Sequence, residues 1–223
     1  MHHFKSQLRN KVTGVAIAAA GGTVFVANAG LATKALLLTA TGAALTNPIT
    51  PTNGSIEFYT ADTVASVDLY IQTPSGHFAV LKGVTPSGNG SIEVDVSKAH
   101  TIMVVPFAAA DQTADATETD TGFNLLINSI VLPVASGLSV DVTALHAGKT
   151  IDFGTAEAIA ETGGDADGMA SALTTATAIV VLSAVATGVP VTTHVSITYT
   201  LSTGSTTTQG FLKIPVLLPA LSL

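Results

Sequence analysis

The sequence predicts an all-β protein made of two β-sandwich domains of jelly-roll or immunoglobulin-like type. Three observations lead there. Apolar and small polar residues alternate with a period of two in segment after segment, the pattern of a strand with one buried face. Turn signals recur between those segments, as in sandwiches and barrels. Material for long helices is scarce, while 47% apolar residues in 223 supply enough side chains for a real core.

The elements follow in chain order. Lys5, Arg9 and Lys11 occupy the first eleven residues without an acid among them, so residues 1–13 read as a basic N-terminal arm suited to docking on a partner. A competing secretory reading takes Lys5–Lys11 as a positive region, Val12–Val26 as a weak apolar segment and Ala27-Asn28-Ala29 as a small-x-small site. Gly21-Gly22 interrupts that apolar segment, which favours the arm. Residues 14–86 then form the first sandwich. Its clearest strand places Val67, Leu69 and Ile71 against Ser66, Asp68 and Tyr70, with turns at Thr41-Gly42, Asn53-Gly54 and Pro74-Ser75-Gly76.

The Pro/Ser/Gly/Asn cluster at 85–90 reads as the domain boundary, and residues 87–223 as the second sandwich. Its predicted strands include Ile92, Val94 and Val96 against Glu93 and Asp95. A second set has Leu138, Val140 and Val142 against Ser139, Asp141 and Thr143, with a turn at Ser136-Gly137. The last has Val195, Ile197, Tyr199 and Leu201 against Ser196, Thr198 and Thr200, closed by Ser202-Thr203-Gly204. Ala108–Thr121, rich in Thr, Ala and acids, reads as an exposed loop, and Asp167–Ala176 as a short Ala-rich helix capped by Asp165 or Asp167. Gly168–Leu212 lacks any charged residue, but its polar interruptions and period of two predict strands rather than a membrane span.

Composition narrows the function. Only 10% of residues are charged, against about 25% in an average soluble domain. A surface so poor in charge is covered by Thr, Ser and Asn or by copies of the chain, so homo-oligomerisation is expected. The net charge of −7, the single Arg and the lack of Trp argue against a nucleic-acid partner. Without Cys there is no disulfide framework, thiolate metal site or cysteine nucleophile.

Catalytic motifs are missing as well. The chain has no G-x-S-x-G elbow, no H-E-x-x-H and no phosphate-binding loop, and His77, His146 and His194 read as surface or satisfied histidines. No cofactor and no catalytic residue are expected. The one polar constellation is Gly164-Asp165-Ala166-Asp167-Gly168 with Asp152 upstream, a weak calcium candidate because alternate Asp oxygens in a Gly-flanked loop suit a hard cation. Its competing reading is an Asx turn or helix cap. Asn47-Pro48 and Asn53-Gly54 read as geometric devices, one starting a turn and the other supplying positive φ. With only Tyr59, Tyr70 and Tyr199 besides the phenylalanines, a sugar-stacking platform is thin.

Residues 22–84 resemble a small transthyretin-like sandwich module of bacteriophage virion proteins. The matching text is Gly42-Ala43-Ala44-Leu45-Thr46-Asn47-Pro48-Ile49-Thr50, Asn53-Gly54 through Phe58-Tyr59-Thr60-Ala61, and Val67-Asp68-Leu69-Tyr70-Ile71. Thr63-Val64-Ala65 departs from it, standing where that module has a Gly turn and a Tyr. Residues 120–218 resemble a domain of phage structural proteins through Asp120-Thr121-Gly122, Thr150–Thr155, Gly163–Met169, Val195–Thr200 and Gly210–Pro215. The resemblance implies a non-enzymatic virion component, a capsid decoration or cement protein; with the low charge content, the expectation is that it binds the major capsid protein on the outer head surface as a homotrimer. In that reading Lys5, Arg9 and Lys11 form the capsid-docking arm. A tail or head-fibre adaptor, receptor-binding protein or secreted surface adhesin is the alternative.

Overall fold

The computed structural model describes residues 1–17, 21–112, 117–132, 139–144, 147–157, 165–174, 177–178, 190–191 and 195–219. The protein is an all-β sandwich protein, and its chain divides into two compact units, Met1–Lys98 and Ala99–Leu223. The expected boundary at 86/87 is thereby corrected by twelve residues. The Gly-rich stretch that reads as a linker opens a strand of the first unit, because it pairs with the chain's own N-terminus.

The first unit contains β1 (His2–Asn10), β2 (Thr23–Asn28), β3 (Leu37–Leu38), β4 (Ala44–Leu45), β5 (Ser55–Thr60), β6 (Val67–Gln72), β7 (Phe78–Val84) and β8 (Gly88–Val94). One sheet runs β4-β3-β5-β1-β8 and the other β2-β6-β7. Phe4, Leu8, Ile56, Phe58 and Ile92 of the first sheet and Val24, Val26, Leu69 and Ile71 of the second form one buried cluster, so the sheets enclose a common core. Phe4 and Phe58 are cross-strand partners whose rings stack at 4.7 Å.

Two expectations fail here. Residues 1–13 are not an arm: β1 lies between β5, antiparallel, and β8, parallel, with Phe4, Ser6 and Leu8 turned inward. Burial of two large apolar side chains holds the segment in the sheet, at roughly 1.5–3 kcal/mol each. The apolar stretch that invites a secretory reading is likewise structural. Val24, Phe25, Val26 and Ala27 are buried on both faces of β2, which explains a continuous apolar run where a half-exposed strand would alternate.

Asn47 has a structural role beyond the start of a turn expected of it. The Asn47-Pro48 bond is cis, and the Asn47 side chain accepts from Val26 N (3.1 Å) and donates to Val26 O (2.7 Å) and Ala35 O (3.0 Å). It thus ties β2 to the segment before β3. Asn47→Ala is expected to destabilise the first unit by about 2 kcal/mol, since three part-buried bonds are lost and water re-satisfies some of the freed groups. Urea denaturation of the full chain measures it.

The second unit contains β9 (His100–Ala108), a 3₁₀ turn at Ala109–Asp111, β10 (Thr119–Leu125), β11 (Ile130–Val131), β12 (Ser139–Ala144), β13 (Ile151–Glu157), β14 (Asp165–Leu173), β15 (Thr177–Ala178), β16 (Val195–Leu201) and β17 (Gln209–Leu217). One sheet runs β10-β16-β13-β14. In the other, β17 pairs with β9 on one side and with β11 and β12 on the other, and β12 pairs with β15. Phe107 of β9 meets Phe153 of β13 edge-on at 4.9 Å and Tyr199 of β16 at 5.9 Å, so these two sheets also pack face to face. The Tyr199 hydroxyl donates to Ala108 O at 2.9 Å, and its burial pushes the phenol's pKa far above its ordinary value.

The helix expected at Asp167–Ala176 is instead largely strand. β14 runs along β13 through register shifts, with Phe153 opposite Ala170 and Thr155 opposite Asp165. Pairing to a neighbouring strand overrides the weak helix preference of a short Ala-rich segment. Within the expected loop at 108–121, Ala108 closes β9, a 3₁₀ turn covers Ala109–Asp111 and β10 begins at Thr119, while residues 113–116 lie outside the described residues. The Ser136-Gly137 turn lies outside the described residues. Among the described residues no helix is long and apolar enough to cross a membrane.

Candidate docking surface on the first unit

β1 alternates strictly, so with Phe4, Ser6 and Leu8 inward, His3, Lys5, Gln7 and Arg9 face outward. Register adds their neighbours on the same face. His3 lies opposite Tyr59 and Lys5 opposite Glu57 on β5, while on β8 Gln7 lies opposite Ser91 and Arg9 opposite Glu93. The result is a broad polar face across three strands, with one end aromatic and the middle charged. Two of the three residues expected in a docking arm, Lys5 and Arg9, are therefore on one rigid surface. Lys11 lies just past the strand, exposed, with its backbone N–H bonded to Val94 O at 3.0 Å.

The contacts within this face are local and solvent-accessible. The His3 ring stacks on Tyr59 at 4.4 Å with 6° between planes, and its Nε2 is 3.0 Å from Glu57 Oε1. Lys5 Nζ is 3.5 Å from Glu57 Oε2. The His3 hydrogen bond, with the nearby Lys5 charge, holds the Glu57 carboxyl below the usual carboxylate range. Arg9 Nη1 donates to Gly14 O at 2.9 Å, and Gln7 Nε2 to Asn53 O at 2.9 Å. Beside Lys5 a shallow cavity of about 300 Å³ opens, lined by Ser6, Gln7, Ser55 and Gly90. Exposed ion pairs of this type contribute little to stability, about 0–1 kcal/mol. Lys5 and Arg9 can accordingly exchange their present partners for an acidic group from outside at small cost.

The calcium candidate is described only in part. Asp152 is on β13 opposite Thr200, and Asp165 pairs in register with Thr155, three residues further along the same strand. Three residues of strand span about 10 Å, so the ladder puts the Asp152 and Asp165 backbones at separate positions. The side chains of Asp165 and Asp167 lie outside the described residues. No group of three or more His, Asp or Glu side chains arranged to hold a metal occurs among the described residues.

The histidines divide. His146 and His194 lie outside the described residues. His77 is buried, with Nδ1 2.9 Å from Ser75 Oγ and Nε2 2.9 Å from Lys98 O. A carbonyl can only accept, so Nε2 carries the proton and Nδ1 accepts from Ser75. The Ser75–His77 pair sits inside the Thr73–His77 turn, which is closed by Thr73 N to His77 O at 2.9 Å, and it pins that turn.

The feature that sequence reading misses is the buried carboxylate of Asp68. Its Oδ1 accepts from Gly83 N (2.8 Å), and its Oδ2 from Gly30 N (3.1 Å) and Lys82 Nζ (2.9 Å). Lys82 also donates to the Tyr70 hydroxyl and sits 4.5 Å over the Tyr70 ring. Alternation alone puts Asp68 on the polar face of its strand, where exposure is the default. An Asp with Tyr and Gln on one strand face is the available signal that this face is covered too. No family model, curated protein or solved structure matches this chain.

Proposed function

We propose that this chain is a non-enzymatic structural component of a bacteriophage virion, a capsid decoration protein that binds the major capsid protein as a homotrimer. The observation that carries the reading is the outward face of β1. Lys5 and Arg9 are displayed on a strand held at the interior of a five-stranded sheet, so a charged docking surface is already ordered by folding and loses little entropy on binding. The sequence resemblances of both halves to phage virion modules support the same reading. So does the low charge content, which leaves a large neutral surface for contacts between copies.

In this reading the partner presents acidic groups to Lys5 and Arg9, and apolar and hydrogen-bonding contacts supply the remaining affinity. Reversing both charges, Lys5→Glu with Arg9→Glu, is expected to lower binding to heads stripped of the protein by about tenfold or more. Each exposed attraction is worth about 1 kcal/mol and becomes a repulsion. Co-sedimentation with stripped heads at low and high salt measures it, and the wild-type advantage should shrink as salt rises. Undiminished binding of the double variant at low salt would remove this face from the proposal.

A further inference from the structure

β8 ends its sheet and pairs there with β1. A parallel ladder uses the N–H and C=O groups of every second residue, and Val94 O accepts from Lys11 N. Gly88, Gly90, Ile92 and Val94 therefore bond to β1, while Asn89, Ser91 and Glu93 turn their backbone groups to the open edge. Ser91 and Glu93 are exposed, and neither makes a hydrogen bond or ion pair with a described residue. The other sheet ends of the first unit are guarded. β4 has two residues, β2 is bridged at Val24 to Ile49 and at Ala27 to Lys34, and β7 carries Lys82 and faces a register shift. Short, covered or irregular edges of this kind resist pairing with another chain. β8 has 7 residues and neither Pro nor Lys. Its inward side is also incomplete. Gly90 lies beside the inward Ser6, and a Cβ on it would meet no atom within 4 Å. A cavity of about 260 Å³ opens there between β8 and β7, lined in part by Phe4, Leu81, Val84 and Ile92.

We propose that β8 pairs with β8 of a second copy of this chain, antiparallel about a twofold axis through Ser91. A twofold pairing that uses all three outward residues must centre on the middle one. It sets Ser91 opposite Ser91, and positions 89 and 93 opposite positions 93 and 89 of the second copy. Each of these pairs exchanges two N–H···O bonds.

This register is complementary in size and in charge. On the inward face it sets Ile92 opposite Gly90 of the second copy, a large side chain beside a missing one, and the twofold repeats the match. On the outward face Lys5 is the register neighbour of Asn89, so Glu93 of the second copy falls in the row of Lys5. The two residues are two strand spacings apart, about 10 Å, within the joint reach of a Lys and a Glu side chain. Glu93 thus gains the counter-charge it lacks in a single copy, and Lys5 exchanges or shares its exposed contact with Glu57 at small cost. Pairing extends the sheet sideways and leaves the outward face of β1 open. Twofold and threefold contacts coexist in dihedral assemblies, so this contact adds to the proposed trimer and does not replace it.

The test is native mass spectrometry and amide hydrogen exchange on the full chain at about 50 µM, since association depends on concentration. Ser91→Pro removes the central outward N–H and leaves the bonds to β1 in place. The wild type should have twice the mass of S91P, whatever number of copies other contacts hold together. The Glu93 amide should exchange about tenfold or more slowly in the wild type than in S91P, while the Leu8 amide, bonded to Gly54 O, stays equally protected in both and reports an intact fold. Lys5→Glu and Glu93→Lys should each weaken association about tenfold, and the two combined should regain most of it, because opposite charges again face each other across the twofold. These charge variants test the register without touching the backbone. The proposal is overturned if the wild type and S91P have equal mass, if Glu93 exchanges equally in both, or if the double charge variant associates no better than the single ones. A wild type that is a dimer would remove the threefold contact and leave this pairing in place.

Discussion

Replacing Asp68 by alanine is expected to destabilise the first unit by about 4 kcal/mol. The carboxylate is almost fully buried, its side chain 2% exposed, and it bonds two backbone N–H groups on separate segments. Gly30 belongs to the loop between β2 and β3. Gly83, at φ +64°, is in β7, where the β6–β7 register shifts between Val67 and Leu69. Alanine leaves both donors without an acceptor and removes the counter-charge of Lys82. Hydrogen bonds to a charged group are worth about 1.5–3 kcal/mol each, so the two backbone bonds alone account for the figure. Lys82 is more than half exposed, and Lys82→Met should cost under about 1 kcal/mol. If the ion pair were the main contributor, the two variants would lose similar amounts. Urea denaturation of both variants, read on β6 amides, separates the cases.

Acid should erase the same contribution. Burial alone would raise the Asp68 pKa, but the N–H of Gly83, the ammonium of Lys82 and the N–H of Gly30 together outweigh it and hold the carboxyl below the usual range. The stabilisation is therefore complete above the unfolded carboxylate value, about 3.9, and disappears as pH falls through the folded value. Acid unfolding of the wild type should contain this component below about pH 4, and D68A should lack it.

The parts of this fold that are legible in the sequence are those where polar and apolar residues alternate, whether the polar face is accessible, as in β12, or covered, as in β6. β6, β12 and β16 alternate visibly, and their turns are marked by Gly at positive φ, as at Gly42, Gly54, Gly76 and Gly204. The parts that are not legible are those where chain-distant pairing decides. β1 carries the same period of two, but its outward positions are Lys5, Gln7 and Arg9 and it opens the chain, so charge obscures the inward Phe4, Ser6 and Leu8. Gly88-Asn89-Gly90 looks like a linker until β1 lies beside it. The Ala-rich β14 has no strand signature of its own and is fixed by Phe153 and Thr155 across the ladder. The proposed docking surface is legible as residue types and not as a place. Lys5 and Arg9 stand out by their charge, while Glu57, Tyr59 and Glu93, which share their face, follow only from register.

Gly54→Ala is expected to approach Asp68→Ala in severity, at about 2–5 kcal/mol, although it adds a single methyl group. Asn53 and Gly54 take φ of +51° and +72°, the pair of left-handed residues that a tight hairpin turn requires. A Cβ on Gly54 would run into the backbone carbonyl oxygen of Ile17 and lie 2.7 Å from Gln7 Nε2. The carbonyl cannot retreat easily. Ile17 N donates to Leu8 O at 2.9 Å and Leu8 N donates to Gly54 O at 2.8 Å, so turn, β1 and residue 17 form one closed set of bonds. Left-handed strain costs roughly 1–2 kcal/mol and overpacking about 1–3 kcal/mol more. Gly42→Ala is the control, because Gly42 has φ +82° and a methyl group there would meet no atom within 4 Å, so it incurs the strain alone. A Gly54 variant no less stable than the Gly42 variant would mean that residue 17 yields freely. Because Gly54 anchors Leu8, the same substitution should also weaken docking through β1 in the co-sedimentation assay, with Lys5 and Arg9 both intact.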